Sequence, residues 1–224
     1  MMWLKKNGLY ALLAISVVLA ILGVSTANFI FKSGTAGMGI LVILLLNTGL
    51  KKSAKDTWWI LAAFLFSIIG DWFLSNMDGD SLMFVKGIAL FFLAHVGYLI
   101  YAILNGRIKG TFTSILLAAY LAFFFLVLYP TFTDVPLMVA SLVYLLISCF
   151  SLGAAVGMKG DLTAKRSFIL GIVLIIFSDT IIAFKEFVDY HTFDFLITPT
   201  YYLAHIFITF SLIKRFENKV PITK

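Results

Sequence analysis

One cysteine stands in 224 residues, so the chain can close no internal disulfide. That residue, Cys149, lies inside an apolar run and reads as a small buried hydrophobe. Charge is scarce too: 12% of residues are Asp, Glu, Lys or Arg, against about 25% in an average soluble domain. Proline occurs four times, and Pro199 alone falls within a long apolar run, so the hydrophobic segments are largely free of the breaks that proline imposes. The phosphate loop, the dinucleotide fingerprint and the Gly-x-Ser-x-Gly elbow are all missing, which excludes the usual soluble catalytic scaffolds. Neither His-x-x-x-His nor Glu-x-x-His occurs, so local spacing points to no metal and no cofactor.

What is present is apolar surface. The chain is 62% hydrophobic and 16% aromatic, with a mean hydropathy of +1.04, the composition of a polytopic membrane protein. A spanning helix needs about 17–25 apolar residues. Eight segments meet or approach that length: Leu9 to Phe31, Gly34 to Leu50, Thr57 to Leu74, Leu82 to Leu104, Phe112 to Tyr129, Pro136 to Val156, Ser167 to Phe187 and Phe195 to Ile213. The expectation is all-α, one domain over residues 1–224, with short connectors that make consecutive helices antiparallel neighbours. Lys5 and Lys6 precede the first run as they would in a signal peptide. That run lacks a small-residue cleavage site and is about twenty residues long, so it reads as a retained span.

The net charge of +6 is distributed by loop. With the N-terminus in the cytoplasm, the inner segments hold Lys5, Lys6, Lys51, Lys52, Lys55, Arg107, Lys109, Lys159, Lys165, Arg166, Lys214, Arg215, Lys219 and Lys224. The outer loops hold Lys32 alone among cations, with Asp78, Asp80, Asp134, Asp189 and Asp194. This alternation follows the positive-inside rule and gives an N-in, C-in topology. The basic balance thus reports orientation and contact with anionic membrane lipid, not nucleic acid. Short loops without organelle signals suggest a bacterial inner membrane. Oligomeric state is not encoded in any feature of the chain.

Inside these apolar runs stand two carboxylates, each followed by an Ala-His pair in the next run: Gly70-Asp71 with Ala94-His95, and Ser178-Asp179 with Ala204-His205. A carboxylate at the centre of a spanning helix costs roughly 2.5–3.5 kcal/mol on insertion scales, so such residues are rare and usually functional. The two motifs fall on helices three and four and on helices seven and eight, which suggests a parallel repeat of four helices plus four. Repeat interfaces commonly hold the functional site. Both aspartates fall in the outer half, their depths differing by roughly 7–8 Å at 1.5 Å per residue. One can serve as proton donor and the other as carboxylate, and the sequence does not say which.

Around them, His95 and His205 are expected in a shared polar cavity with Tyr98, Tyr201 and Tyr202. Glu186, seven residues after Asp179, lies on about the same helical face. Lys185 points elsewhere and Lys86 snorkels outward. Lys32, opening helix two as Lys32-Ser33-Gly34-Thr35, can hold a phosphate beside free backbone N–H groups. Tyr144, Ser148 and Ser151 form a polar stripe on helix six that reads as helix packing.

In order along the chain, Lys32-x-x-Thr35, Gly70-Asp71-x-x-Leu74, Gly87-x-x-x-Phe91-x-x-Ala94-His95-x-x-Tyr98, Ser178-Asp179-x-x-x-Ala183 with Phe187, and Tyr201-Tyr202-x-Ala204 resemble the YhhN-like lysoplasmalogenase family. The likeness covers nearly the whole chain. It departs at Ser33, where the family pattern has Pro; at His205, where many members carry Gln; and at Lys185-Glu186. The resemblance implies hydrolysis of the vinyl-ether bond of a lysoplasmalogen to a fatty aldehyde and a glycerophospho-ethanolamine or -choline. Asp71 and Asp179 would be the catalytic pair. Lys32, His95, Tyr98, Glu186, Tyr202 and His205 would surround the lipid. The alternative reading is a proton-coupled carrier of a small solute or lipid, which also needs intramembrane acids. A retinal-type photoreceptor with Lys185 as Schiff base is disfavoured by the position of Lys185 near a helix end.

Overall fold

In hydrocarbon every backbone N–H and C=O must find its partner within the protein, so uninterrupted apolar runs fold as helices. The computed structural model describes residues 2–26, 28–48 and 55–219. Among them are α1 (Met2–Thr26), α2 (Phe29–Asn47), α3 (Thr57–Ser75), α4 (Ser81–Leu104), α5 (Gly110–Phe123), α6 (Val135–Val156), α7 (Leu162–Val188) and α8 (Asp194–Lys219). Among the described residues eight stretches, α5 being extended to Thr131, are long and apolar enough to cross a membrane, as expected. Lys51, Lys52 and Lys224, which carry part of the expected inner charge, lie outside the described residues.

Polar residues at the loops set where the helices begin. The Ile30 amide donates to Asn28 Oδ1 at 2.9 Å, the Leu82 amide to Asp80 at 2.8 Å and the Ala164 amide to Asp161 at 2.7 Å. Each bond satisfies an amide that the first helical turn leaves free. The Asn28 cap corrects the sequence-based boundary: the first break falls ahead of Phe29, not between Phe31 and Gly34. Lys32 therefore stands one turn inside α2, where its side chain can reach a neighbouring helix. A second difference lies in α5, which continues through a π-helical turn, Phe124–Leu128, and a 3-10 turn, Tyr129–Thr131. π turns inside helices recur at functional sites.

The pairs α3–α4 and α7–α8 pack most extensively; α2 bridges α3 and α8, and α1 covers α2 and α8. Phe64, Tyr98, Tyr101 and Phe168 are fully buried at the centre. α5 is peripheral and packs mainly on α6. At the bundle surface Trp58 and Trp59, opening α3, and Trp72, near its end, are each more than 40% exposed, as in the aromatic belts of membrane interfaces. At the end where α4 and α8 finish, Arg215 pairs with Asp56 and donates to the Tyr101 hydroxyl at 2.9 Å, tying α8 to the α3–α4 hairpin.

That hairpin closes on a glycine. A Cβ at Gly97 would sit 2.6 Å from the Trp59 carbonyl oxygen and 3.0 Å from the Ala63 Cβ, so α3 and α4 approach to backbone contact there. Gly97→Ala is expected to force the helices apart and to lower stability by about 1–3 kcal/mol, the range for overpacked cores. Thermal unfolding in detergent measures this, and an unchanged midpoint would show that the contact can relax.

Candidate active site

A buried carboxylate in an apolar bundle needs hydrogen-bond donors or a cation. Asp71, on α3, has both. Lys32 Nζ of α2 lies 3.2 Å from Oδ1, and the Tyr201 hydroxyl of α8 donates to Oδ2 at 3.0 Å. Asp71 is 2% exposed, whereas Lys32 keeps about a quarter of its side chain at the surface. The cation expected to be open for a phosphate is thus engaged by a carboxylate, a consequence of the helix starting one turn earlier.

Asp179, on α7, is built differently. The Tyr144 hydroxyl of α6 donates to its Oδ2 at 2.5 Å, and His95 Nε2 of α4 lies 4.0 Å from the same oxygen. His95 is held from its other side by Ser151, with Nδ1 and Oγ 2.9 Å apart. Ser148, between these two on α6, donates to the Tyr144 carbonyl at 2.8 Å. The stripe of Tyr144, Ser148 and Ser151, expected to be packing, in fact supplies the hydrogen bond to Asp179 and the anchor of His95. Its helical spacing was visible in the sequence; the side to which it turns was not. Each aspartate takes one partner from the helix preceding its own and one from the last helix of the opposite half: α2 and α8 for Asp71, α6 and α4 for Asp179.

The two centres are neighbours. Asp71 and Asp179 lie within electrostatic range of each other, and Tyr98 lies within range of both. The Tyr98 ring meets His95 edge-on at 5.7 Å and Phe64 at 6.4 Å. His205 is fully buried, with its ring edge-on to Tyr201 at 4.5 Å and to Phe64 at 5.2 Å. Tyr202 turns instead toward α1, where its hydroxyl would touch any Cβ placed on Gly23. Glu186 pairs with Lys185 at 3.2 Å near the end of α7, outside the group around the two aspartates. Lys86 lies over the Phe73 ring at 5.7 Å.

Beside Asp179 opens a chamber of about 760 Å³, counted with its mouth, between α4, α5 with its π turn, α6 and α7. Its wall is mostly carbon: Leu74, Phe84, Ile88, Phe91, Phe123, Leu128, Leu145, Ile176 and Phe187. The polar lining is confined to Asp179, Tyr144, Tyr120, Thr180, Ser141, Ser148 and Cys149. Asp71, Lys32, His95, Tyr98, Tyr202, His205 and Glu186 are not part of that wall. Phe91 stands between the two regions: it lines the chamber, and its ring meets Tyr201, the partner of Asp71, edge-on at 6.2 Å.

Among the described residues, eight apolar helices that hold two carboxylates, Asp71 buried and Asp179 half-buried against an apolar chamber, define an integral membrane protein with an acidic site within its helices. The model described as the YhhN family matches residues 27–212, and the chain belongs to that family. This agrees with the resemblance carried by its motifs. Comparison with curated proteins and with solved structures finds no match.

Proposed function

We propose that the protein hydrolyses the vinyl-ether bond of lysoplasmalogens, with Asp179 as proton donor and Asp71 as the second carboxylate. One observation supports this above the rest: Asp179 is the only carboxylate on the wall of a chamber otherwise suited to a hydrocarbon chain. Asp71, which has Lys32 as its cation, is the better candidate for the group that stays a carboxylate.

Opening an enol ether begins with a proton on its β-carbon. The Asp179 carboxyl delivers it, the π electrons form the new C–H bond, and an oxocarbenium ion remains with the Asp179 carboxylate beside it. Asp71 adds negative potential from the far side. Water then attacks the cationic carbon and returns a proton to the carboxylate. The resulting hemiacetal collapses to a fatty aldehyde and the glycerol hydroxyl of a glycerophospho-ethanolamine or -choline. One water is consumed and no proton is gained or lost overall. Glycosidases use the same logic of an acid and a second carboxylate around an oxocarbenium-like transition state. The Tyr144 hydroxyl, donating to Asp179 at 2.5 Å, orients the Asp179 carboxyl at the chamber wall.

The isotope pattern tests the bond that breaks. Hydrolysis in D₂O, with the aldehyde trapped by immediate reduction, should place one deuterium on the carbon next to the former carbonyl. In H₂¹⁸O the glycerol product should stay unlabelled. Label in the glycerol oxygen would mean cleavage on the other side of the ether and would exclude protonation at the β-carbon.

With both termini cytoplasmic, as the loop charges predict, the chamber lies in the outer half of the bilayer and a single-chain lipid reaches it from the outer leaflet. A reporter fused after Lys224 should then read the cytoplasm. A periplasmic signal would reverse this assignment.

A further inference from the structure

Five buried polar atoms along the middle of α4 and α8, away from the Asp194 end of α8, have no hydrogen-bond partner among the described residues: His95 Nε2, the Tyr98 hydroxyl, both ring nitrogens of His205 and the Thr209 hydroxyl. Their residues are at most 1% exposed. A buried polar group without a partner is strongly disfavoured, and sites of this kind in folded proteins hold ordered water. One such atom would be an isolated defect. These five lie on the two sides of Phe64, whose ring contacts both Tyr98 and His205.

They also adjoin the two carboxylates, one from each side. From Asp71 the path runs to Tyr201, whose ring meets His205 edge-on at 4.5 Å, and Thr209 follows one helical turn along α8. Ser67, one turn before Asp71 on α3, stands beside both Tyr201 and Tyr98, although Tyr98 does not reach hydrogen-bonding geometry with it. Tyr98 adjoins His95, whose Nε2 is 4.0 Å from Asp179, too long for a direct bond. Because Ser151 occupies Nδ1, the free nitrogen of His95 is the one turned toward Asp179. None of His95, Tyr98, His205 or Thr209 lines the apolar chamber.

We propose that this seam is a hydrated compartment separate from the chamber, and that water held by the Tyr98 hydroxyl and His95 Nε2 between Asp71 and Asp179 is the nucleophile that captures the oxocarbenium ion. The second half rests on the hydrolase reading above; the first does not. The division gives the reaction its two media. The alkenyl chain lies in the apolar chamber, away from bulk water, while the one water that the chemistry consumes reaches the cationic carbon from the opposite side of Asp179. Tyr98 and His95 bind and orient that water, and its proton passes to a carboxylate.

Two experiments test the halves separately. In ¹⁵N-histidine-labelled protein in bilayers, solid-state NMR should show magnetisation passing from water to the imidazoles of His95 and His205, with exposed His191 as the positive control. Thr209→Val should weaken the His205 signal. If His191 alone responds, the seam is dry and the proposal fails, whatever the protein's activity. The second experiment follows the fate of the ion in D₂O with Tyr98→Phe. When capture is slowed, the oxocarbenium ion returns a proton from its β-carbon and re-forms the vinyl ether, so recovered substrate acquires deuterium there. The ratio of exchange to hydrolysis should rise up to about tenfold over wild type, the effect of losing one hydrogen bond to the nucleophile. Wild-type turnover, or slower turnover without exchange, would remove Tyr98 from water capture. If wild type hydrolyses no vinyl ether, the nucleophile assignment fails with the hydrolase reading, and the NMR result still decides the hydration of the seam.

Discussion

Asp179→Asn is expected to lower lysoplasmalogen turnover by about 10²–10⁴-fold, the usual contribution of a positioned general acid. The substitution is nearly isosteric. Its amide oxygen can still accept from the Tyr144 hydroxyl, which donates at 2.5 Å in the native protein, so the chamber should keep its shape. What is lost is the transferable proton, and kcat should fall with little change in KM. Tyr144→Phe should act in the same direction but more weakly, because it leaves the acid in place and removes only its orientation. Steady-state aldehyde release, paired with the melting temperature of each variant, separates the two. Full turnover by Asp179→Asn would deny it the role of acid.

Lys32→Met should produce the largest change in stability. Asp71 is nearly inaccessible, and its only cation within salt-bridge distance among the described residues is Lys32 at 3.2 Å. Removing one partner of a buried ion pair costs about 3–5 kcal/mol, because the other charge is left uncompensated. A value near the lower end, about 3 kcal/mol, is expected here, since Lys32 is itself partly exposed and the Tyr201 hydroxyl still donates to Asp71. Adding Asp71→Asn to Lys32→Met should restore much of the loss. A double-mutant cycle of unfolding in detergent reads this coupling directly. Additive effects would mean that the two side chains do not depend on one another, and that Lys32 is free to act elsewhere, for example on a lipid phosphate.

Why the helices were legible and the site only partly so follows from the range of the forces involved. Hydrophobic length is local, so eight runs of near-spanning length gave eight helices and the all-α class. Asp71 and Asp179 stood out for the same local reason: each is a costly charge within an apolar run. Their partners are set by tertiary packing. Tyr201 is 130 residues from Asp71, and Tyr144 is 35 from Asp179. No spacing rule reaches that far, and a Tyr-Ser-Ser stripe that glues helices looks the same in sequence as one that holds an acid.

Smaller misses have equally specific causes. The first helix break falls earlier than the apolar pattern suggests, because Phe29, Ile30 and Phe31 read as a continuation of the first run, while the Asn28 side chain caps a new helix at Phe29. The π turn at Phe124–Leu128 is written in the same Phe and Leu residues as the α-helix before it, so composition gives it no mark. His95 and His205, matched in the sequence motif, take different neighbours in the structure: the first faces Asp179 and the second packs on Tyr201.

The most direct measurement is aldehyde release from a lysoplasmenylethanolamine by the purified protein in bilayers. Wild type should liberate fatty aldehyde and glycerophosphoethanolamine in equal amounts, and Asp71→Asn and Asp179→Asn should each lose most of that activity while remaining folded. No aldehyde from folded wild type, or undiminished release from both variants, would contradict hydrolysis by the aspartate pair.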